Sequence, residues 1–499
     1  MTENKNTILL IEPPFNRLFK STFSLERYPS SLGYLSGVIR QKTDWHVLSY
    51  VADFSQHNYA IKLSFLTGEG FRNYLDALED ISLPIWEEVK TAILDVQPDV
   101  IGITAKSQNF ASACIVAKIA KQINEKTTVV MGGPHPSMIK TKVLDCQNID
   151  IGVIGEGERT IIELLDAINS KKKLNAINGI VFRDGNSTIE TARRELIDNL
   201  DSLPFPVKTA SEVLMGYEKF SPSAFRNVFA TRGCPNNCFF CGSRNIWTRK
   251  VRFRSVENVV EEIQCIQKLG VKSINYDDDT FGVSKNYIRK LCNAMIEYCP
   301  CIKWKCEIHV RLVDDEIISL MKRAGCHTIQ IGIESGNNQI LKEMRKDITI
   351  EKAYAACRTI KKYGIKLHAF FIVGFPQETE ETLDDTVKAM MKIDCDELVY
   401  SIFTPYPGTE AFEFCKEKGL IDDSYNVSLH NHQSPASCFC LNITPERFRV
   451  LAAKVEKMVD KRNAASRKRG VFSVDTFRKI QEFGIKKSIQ KGVGIFFNK

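Results

Sequence analysis

From residue 7 to about 165, short aliphatic runs alternate with amphipathic stretches. The runs at 7–11, 46–50, 99–104, 127–131 and 150–154 have strand length, and those at 31–41, 85–96, 110–124 and 158–169 have helical periodicity. Strand–helix alternation predicts an α/β fold with a parallel, doubly wound sheet, whose ligand sits beyond the carboxyl ends of the strands. The loops at those ends are 12–17 (Glu-Pro-Pro-Phe-Asn-Arg), 105–109 (Ala-Lys-Ser-Gln-Asn), 132–137 (Gly-Gly-Pro-His-Pro-Ser) and 155–158 (Gly-Glu-Gly-Glu). Residues 52–84 read as an insertion. Residues 178–206 read as a hairpin about Asp184 and Gly185, then a linker ending in Leu203, Pro204, Phe205 and Pro206.

A second strand–helix series follows, with strands expected over 227–231, 273–277, 303–308, 328–333, 366–373 and 398–403. Its first helix carries Val256, Val259, Val260, Ile263 and Ile266, an i, i+3, i+4, i+7 stripe. Six such units fall short of the eight in a complete TIM barrel, so a partial (β/α)6 barrel is expected. The expected division is a Rossmann-like domain over 1–177, a hairpin and linker over 178–220, the barrel over 221–440, and a small, basic, mostly helical region over 441–499.

Composition narrows the class. Hydrophobic and charged shares of 43% and 26% suit a soluble globular chain, and no run of about 18 apolar residues predicts a transmembrane helix. The sixteen cysteines are mostly isolated, and the polar start leads straight into a strand, so reduced thiols and a cytoplasmic location are expected. Charge is uneven: residues 441–499 carry a net +10 against +8 for the whole chain. That tail, with Lys461, Arg462, Arg467, Lys468 and Arg469, suits an anionic substrate, peripheral contact with a membrane surface, or simply a solvated helical face. No nucleic-acid partner is expected.

The chemistry concentrates in residues 234–241, Cys-Pro-Asn-Asn-Cys-Phe-Phe-Cys, just after the apolar run 228–230. Thiolates ligate iron–sulfur clusters, normally four at a time. Three cysteines spaced C-x3-C-x2-C hold three irons of a [4Fe–4S] cluster and leave the fourth for another ligand. A zinc knuckle would need a fourth Cys or His at regular spacing, and none follows within twenty residues. With aromatic Phe240 before the last cysteine, the run resembles the signature of the radical S-adenosylmethionine (SAM) superfamily.

That resemblance implies that Cys234, Cys238 and Cys241 hold the cluster, that SAM chelates the open iron, and that an external flavodoxin- or ferredoxin-like donor supplies electrons. It also implies roles at the barrel strand ends. Asp278 and Asp279, within Tyr276-Asp-Asp-Asp-Thr-Phe281, would bind the methionine ammonium, although one of this acidic run also suits a helix N-cap. Arg311 would meet the SAM carboxylate or ribose. Glu334, flanked by Gly332 and Gly336, would accept the ribose hydroxyls, and Gly374 would lie in the adenine-facing segment. Tyr406, in Thr404-Pro-Tyr-Pro-Gly-Thr409, would face the substrate.

The two glycine loops ahead of such a barrel resemble the cobalamin-binding domain of B12-dependent radical SAM enzymes. This implies that Gly132, Gly133, His135, Gly155, Glu156, Ser107 and Gln108 approach the macrocycle or its nucleotide tail. The run Asp44-Trp45-His46 nearly matches Asp-x-His-x-x-Gly, the motif whose histidine ligates cobalt, but Ser49 replaces the glycine and the run opens the second strand. His46 therefore reads as an ordinary strand residue, and His135, fixed between prolines, as a neighbour of the nucleotide tail. The implied reaction is methylation of an unactivated carbon on a small-molecule substrate, with methyl passing through cobalamin and a 5′-deoxyadenosyl radical removing hydrogen. The alternative with the same motifs is radical oxidation or ring closure without methylation, as in the anaerobic magnesium-protoporphyrin ester cyclase. A methylthiotransferase would need three further cysteines ahead of the barrel, and only Cys114 and Cys146 occur there.

Overall fold

Buried aliphatic strands organise both halves of the chain. The computed structural model describes residues 5–23, 25–55, 63–430, 434 and 436–471. Strands β1 (Thr7–Glu12), β2 (His46–Val51), β3 (Val100–Thr104), β4 (Thr128–Gly132) and β5 (Ile151–Val153) pair in parallel in the order β2-β1-β3-β4-β5. The hairpin β6 (Ile180–Asp184) and β7 (Ser187–Glu190) extends this sheet antiparallel from β5. Helices cover both faces, so successive β1 residues from Ile8 to Glu12 are all buried, the pattern of an interior parallel strand. Ile8 and Leu10 join one core with Val38, Ile39 and Leu164. Leu9 and Ile11 join the opposite core with Val89, Ile93 and Val116. His46 is exposed at the start of β2, as expected of an ordinary strand residue.

Two connecting segments are packed into the domain. Within 52–84, residues 56–62 lie outside the described residues. The following helices, Leu63–Thr67 and Glu69–Glu79, bring Tyr74 against the rings of Phe15 and Phe19. The Tyr74 hydroxyl donates to the Ser428 carbonyl at 2.8 Å, tying this segment to the end of the barrel. The linker's Pro206 lies on helix Ser30–Lys42 at Gly33, where a Cβ would come within 2.4 Å of the Pro206 ring.

The barrel sheet begins with β8 (Asn227–Val228). A ribbon of β9 (Thr231–Arg232) and antiparallel β10 (Arg252–Phe253) then brackets the cysteine loop. Strands β11 (Ser273–Tyr276), β12 (Lys303–Glu307), β13 (Cys326–Glu334), β14 (Lys366–Val373) and β15 (Glu397–Ile402) complete a parallel sheet in the order β8-β11-β12-β13-β14-β15. The first strand is shorter than the expected 227–231. The amides of Ala230 and Thr231 bond to the Asp278 carboxylate, which peels the chain from the ladder. Along β14, Leu367, Ala369, Phe371 and Val373 are buried in the core that includes the outer helices, while the alternate residues are only half-buried or exposed. That alternation marks a sheet with helices on one face and an open lumen on the other.

β15 is an edge, and an edge strand needs cover. The long helix Pro445–Val471 supplies it, burying Phe448, Ala452, Val455 and Val459 in the barrel core. Asn463 donates to the Leu398 carbonyl at 2.8 Å and accepts from the Leu398 amide at 2.9 Å. Arg462, expected as part of a free basic face, donates instead to the Ile393 carbonyl and the Cys395 sulfur. Residues 472–499 of the basic tail lie outside the described residues. No helix among the described residues is long and apolar enough to cross a membrane.

A buried ion cluster joins the two halves. Glu156 pairs with Arg232 and with Arg252, each at 2.7 Å, and Glu158 pairs with Arg232 at 2.6 Å. Glu156 also accepts from the Ile197 amide at 2.7 Å. Burial opposes the charge on Arg232, but Glu158 and Glu156 outweigh it and hold the guanidinium above its ordinary pKa. Breaking one member of a buried cluster strands the others without partners. Glu156→Ala is therefore expected to lower unfolding free energy by about 3–5 kcal/mol, measured by denaturant titration. Glu158→Ala, which leaves Arg232 paired to Glu156, is expected to cost less.

Candidate active site

The cysteine loop leaves the barrel where Asp278 receives it. This buried carboxylate accepts from the Ala230 amide at 2.8 Å, the Thr231 amide at 3.0 Å and the Thr231 hydroxyl at 2.7 Å. Burial pushes its carboxyl up to about 7, against the pull of those bonds. Asp279 accepts from the Gly233 amide at 3.1 Å and the Ser243 hydroxyl at 2.9 Å, and it lines a cavity between the domains. The acidic pair thus divides. Asp278 is occupied by the chain itself, and Asp279 faces the cavity.

A hydrophobic plug pins the loop. The Phe239 amide donates to the Met344 carbonyl at 3.0 Å, and its ring packs edge-on against Phe375 and Phe414. Cys234, Cys238 and Cys241 are all partly exposed and unpaired. Burial raises all three thiols, that of Cys241 to about 11, with Cys238 and Cys234 adding repulsion. Asn236 donates to the Cys234 sulfur at 3.3 Å. Among the described residues, no three His, Cys, Asp or Glu side chains surround a position for a single metal ion. A [4Fe–4S] cube asks for something different, one thiolate at each of several separate irons. Three neighbouring thiols on one pinned loop fit that donor set.

Glu334 closes β13 in an unusual conformation, φ +70°, where the register with β14 shifts. Its carboxylate pairs with Lys346 at 2.6 Å. A Cβ at Gly332 would stand 2.3 Å from the Glu334 oxygen, so the glycine makes room for that carboxylate. Burial opposes the Lys346 charge, but Glu334 and then Cys238 hold the ammonium above its ordinary value. A cation is thus fixed between the loop and the end of β13.

The cavity between the domains measures ≈ 370 Å³. Leu10, Ile103 and Val153 line it from the first sheet, Gly132, Gly133, Ser137 and Gly155 from the glycine loops, and Phe229, Trp247 and Asp279 from the barrel. Ser137 joins the two loops by accepting from the Gly155 amide at 2.9 Å. Gly155 has φ +80°, and nothing lies within 4 Å of the position its Cβ would take. The loops therefore present bare backbone above an apolar floor, a cradle that fits the flat aromatic base and the phosphate of a nucleotide tail. A second cavity of ≈ 420 Å³ shares Arg27 with the first. It sets Phe15, Phe19, Phe71 and Tyr74 opposite Glu12, Arg27 and Lys106.

Several expected ligand residues stand elsewhere. His135 is buried, with Nδ1 at 3.0 Å from the Ser107 hydroxyl and its ring 4.4 Å from that of Phe110. Burial pushes its pKa down to about 4, and it does not line the cavity. The flanking prolines turn it into the domain, and Ser107 is engaged with it. Glu156 lines the cavity, but Arg232 and Arg252 occupy its carboxylate. Gln108 lines the second cavity and bonds the Tyr406 hydroxyl, which places Tyr406 at the domain boundary. Arg311 points away from both cavities, pairing with Asp347 at 2.8 Å and donating to Asn236 at 2.5 Å. Gly374 packs on Phe448, whose ring would stand 2.6 Å from a Cβ there, and its amide donates to Glu378 at 2.6 Å. It shapes a turn behind the barrel wall. Sequence reasoning missed Arg232, Arg252 and Lys346, whose partners lie 76, 96 and 12 residues away. Only the acidic ends of these pairs stood in a recognisable motif.

Comparison with known proteins agrees with this architecture. A radical SAM superfamily model matches residues 228–390, and a B12 binding domain model matches residues 51–165. The "Uncharacterized methyltransferase PH0819" of Pyrococcus horikoshii is 32% identical over 83% of this chain and 84% of its own length. The anaerobic magnesium-protoporphyrin IX monomethyl ester cyclase of Rubrivivax gelatinosus is 28% identical over 68% of this chain and 62% of its own. Among solved structures, the radical S-adenosylmethionine methyltransferase TsrM from Kitasatospora setae, with cobalamin and a [4Fe–4S] cluster bound, superposes with a TM-score of 0.65. The superposition covers 91% of this chain and 89% of TsrM at 15% identity, and so reports on the fold.

The turn after β14 carries a titration signature. Glu378 is fully buried, accepts the amides of Gly374 and Phe375, and burial pushes its carboxyl from 4.5 up to about 8. Its proton is retained in the native state where the unfolded chain has released it. The stability this contributes is fully present below about 4.5 and is lost as pH rises through about 8. Glu378→Gln, which cannot titrate, is expected to lack this fall. Over that window its stability relative to the parent should rise by up to about 1.4 kcal/mol per pH unit, read from urea midpoints at a series of pH values.

Proposed function

The chain belongs to the cobalamin-dependent radical SAM family, and on that premise we propose that it methylates an unactivated carbon of a small-molecule substrate. The likeness to the Pyrococcus methyltransferase over most of both chains carries this reading. When bound, the cluster supplies the electron that cleaves SAM reductively, and cobalamin carries the methyl group that the substrate receives.

The residues divide the work. Cys234, Cys238 and Cys241 would hold the cluster through three of its irons, and SAM would bind at the fourth. Asp279, the member of the acidic pair that faces the cavity, accepts from the SAM amino group. Glu334, oriented by Lys346, accepts from the ribose hydroxyls. Gly132, Gly133 and Gly155 let the cobalamin nucleotide tail approach bare backbone over Leu10, Ile103 and Val153. The second cavity receives the substrate, with aromatic rings against its apolar body and Arg27, Lys106 and Glu12 selecting its polar groups. Packing between the two domains excludes water from the space in which hydrogen is removed.

The cyclase relative supports a second reading, radical oxidation or ring closure without methyl transfer. Product mass separates the two: one added methylene unit against lost hydrogens or added oxygen. Anaerobic reconstitution with iron, sulfide and hydroxocobalamin, followed by SAM and a reductant, is expected to yield both 5′-deoxyadenosine and S-adenosylhomocysteine. Deoxyadenosine alone, with cobalamin retained, would favour the second reading. Cys234→Ala, Cys238→Ala and Cys241→Ala are each expected to reduce deoxyadenosine to background, and persistent cleavage would remove the cluster assignment. Gly155→Val, strained at φ +80°, is expected to weaken cobalamin retention on gel filtration by at least about tenfold, some 1.4 kcal/mol, while the cluster absorbance persists.

A further inference from the structure

Behind the cysteine loop lies a third concavity, of ≈ 710 Å³, that shares no residue with the two cavities above. Its floor includes Pro235, Asn236 and Asn237 of the loop itself. Its walls carry Arg249, Arg311, Lys342, Arg345 and Lys352 against a single carboxylate, Asp347. Asp347 pairs with Arg311, and Arg345 pairs with Glu410 outside the concavity. Arg249 spends its guanidinium on the Pro235 carbonyl, at 2.9 and 3.1 Å, so its charge is not neutralised. Lys342 and Lys352 are exposed and make no ion pair among the described residues. The first 440 residues are close to neutral overall, so this excess of cations is a local feature of the structure.

The patch is also connected to the site. Arg311 donates to the Asn236 side-chain oxygen at 2.5 Å, and the Asn236 amide donates to the Cys234 sulfur at 3.3 Å. Two hydrogen bonds therefore run from the cationic surface to one of the three thiols. An electron entering here reaches the cluster without crossing the SAM or substrate space. An open basic concavity attracts a partner with an acidic surface and raises its rate of encounter at low ionic strength.

We propose that this concavity is the docking surface for an acidic electron-carrier protein, which passes one electron to the cluster beside the Asn236–Cys234 contact. The carrier's reduced flavin or iron–sulfur centre is oxidised by one electron and the cluster is reduced by one. The proposal rests on the cluster assignment made above and deepens it by naming where the electron donor docks.

The test uses the reconstituted full-length protein and the double variant Lys342→Glu/Lys352→Glu. Cluster bleaching is followed anaerobically by stopped flow, with reduced flavodoxin as the protein probe and photoreduced 5-deazariboflavin as an uncharged control. Lys303→Glu, at the amino end of β12, controls for net charge. Flavodoxin reduction of the double variant is expected to slow by at least about tenfold at low salt, with its salt dependence flattened. Its rate with deazariboflavin, its cluster spectrum and the Lys303→Glu rates should stay at parental values. Unchanged flavodoxin kinetics in the double variant would overturn the proposal, as would equal slowing with both reductants. If the parent protein bleaches normally with either reductant yet cleaves no SAM, the functional reading fails while the docking surface stands.

Discussion

A buried carboxylate fixes the geometry on which the rest of this molecule depends. Asp278 takes three hydrogen bonds from Ala230 and Thr231, which ends β8 after two residues and turns the chain out of the barrel. Everything chemical follows from that turn. Thr231 and Arg232 form the ribbon strand, Arg232 enters the ion cluster that clamps the first domain, and the three cysteines emerge beside Asp279. Burying a carboxylate is costly unless its oxygens are satisfied. Here its partners belong to the segment that must be held, so satisfying the group and positioning the loop are one event.

The domain boundary is built on the same principle. Glu156 and Glu158 leave the first sheet beside the glycine loops, and Arg232 and Arg252 leave the ribbon that brackets the cysteines. Their pairing brings bare glycine backbone opposite the acidic end of β11 and encloses a cavity. A hydrophobic interface alone would hold the domains together without fixing their register. Paired, directional ions do both, and Trp247 lies 5.6 Å from each guanidinium. The open side of the barrel is treated separately, with Asn463 satisfying the edge of β15 and Phe448 filling the space beside Gly374.

The cysteine loop consequently has two working faces. One carries the three thiols beside the Glu334–Lys346 pair and Asp279, which lines the cavity between the domains. The other forms the floor of an open cationic concavity. On the proposed reading, an electron arrives at this second face from a protein in solvent, away from the cavity between the domains.

The amino-acid sequence by itself determined the strand and helix order of both domains, because aliphatic runs and helical stripes are local patterns that follow local burial. It also determined the cysteine loop, since thiol spacing on a single turn is set by a few covalent links. The hairpin at Asp184-Gly185 was legible for the same reason. What the loops do with their side chains was decided only by the tertiary structure. Asp278 and Asp279 are neighbours of identical chemistry, and only the path of Ala230 and Thr231 separates the anchoring carboxylate from the one that faces the cavity. His135 stands in the right loop, but Gly133 and two prolines turn it toward Ser107. Arg311 follows the expected strand, yet partners at Asp347 and Asn236 draw it to the outer face. Pairings of charge depend on distances across the fold, and a one-dimensional pattern carries no record of them.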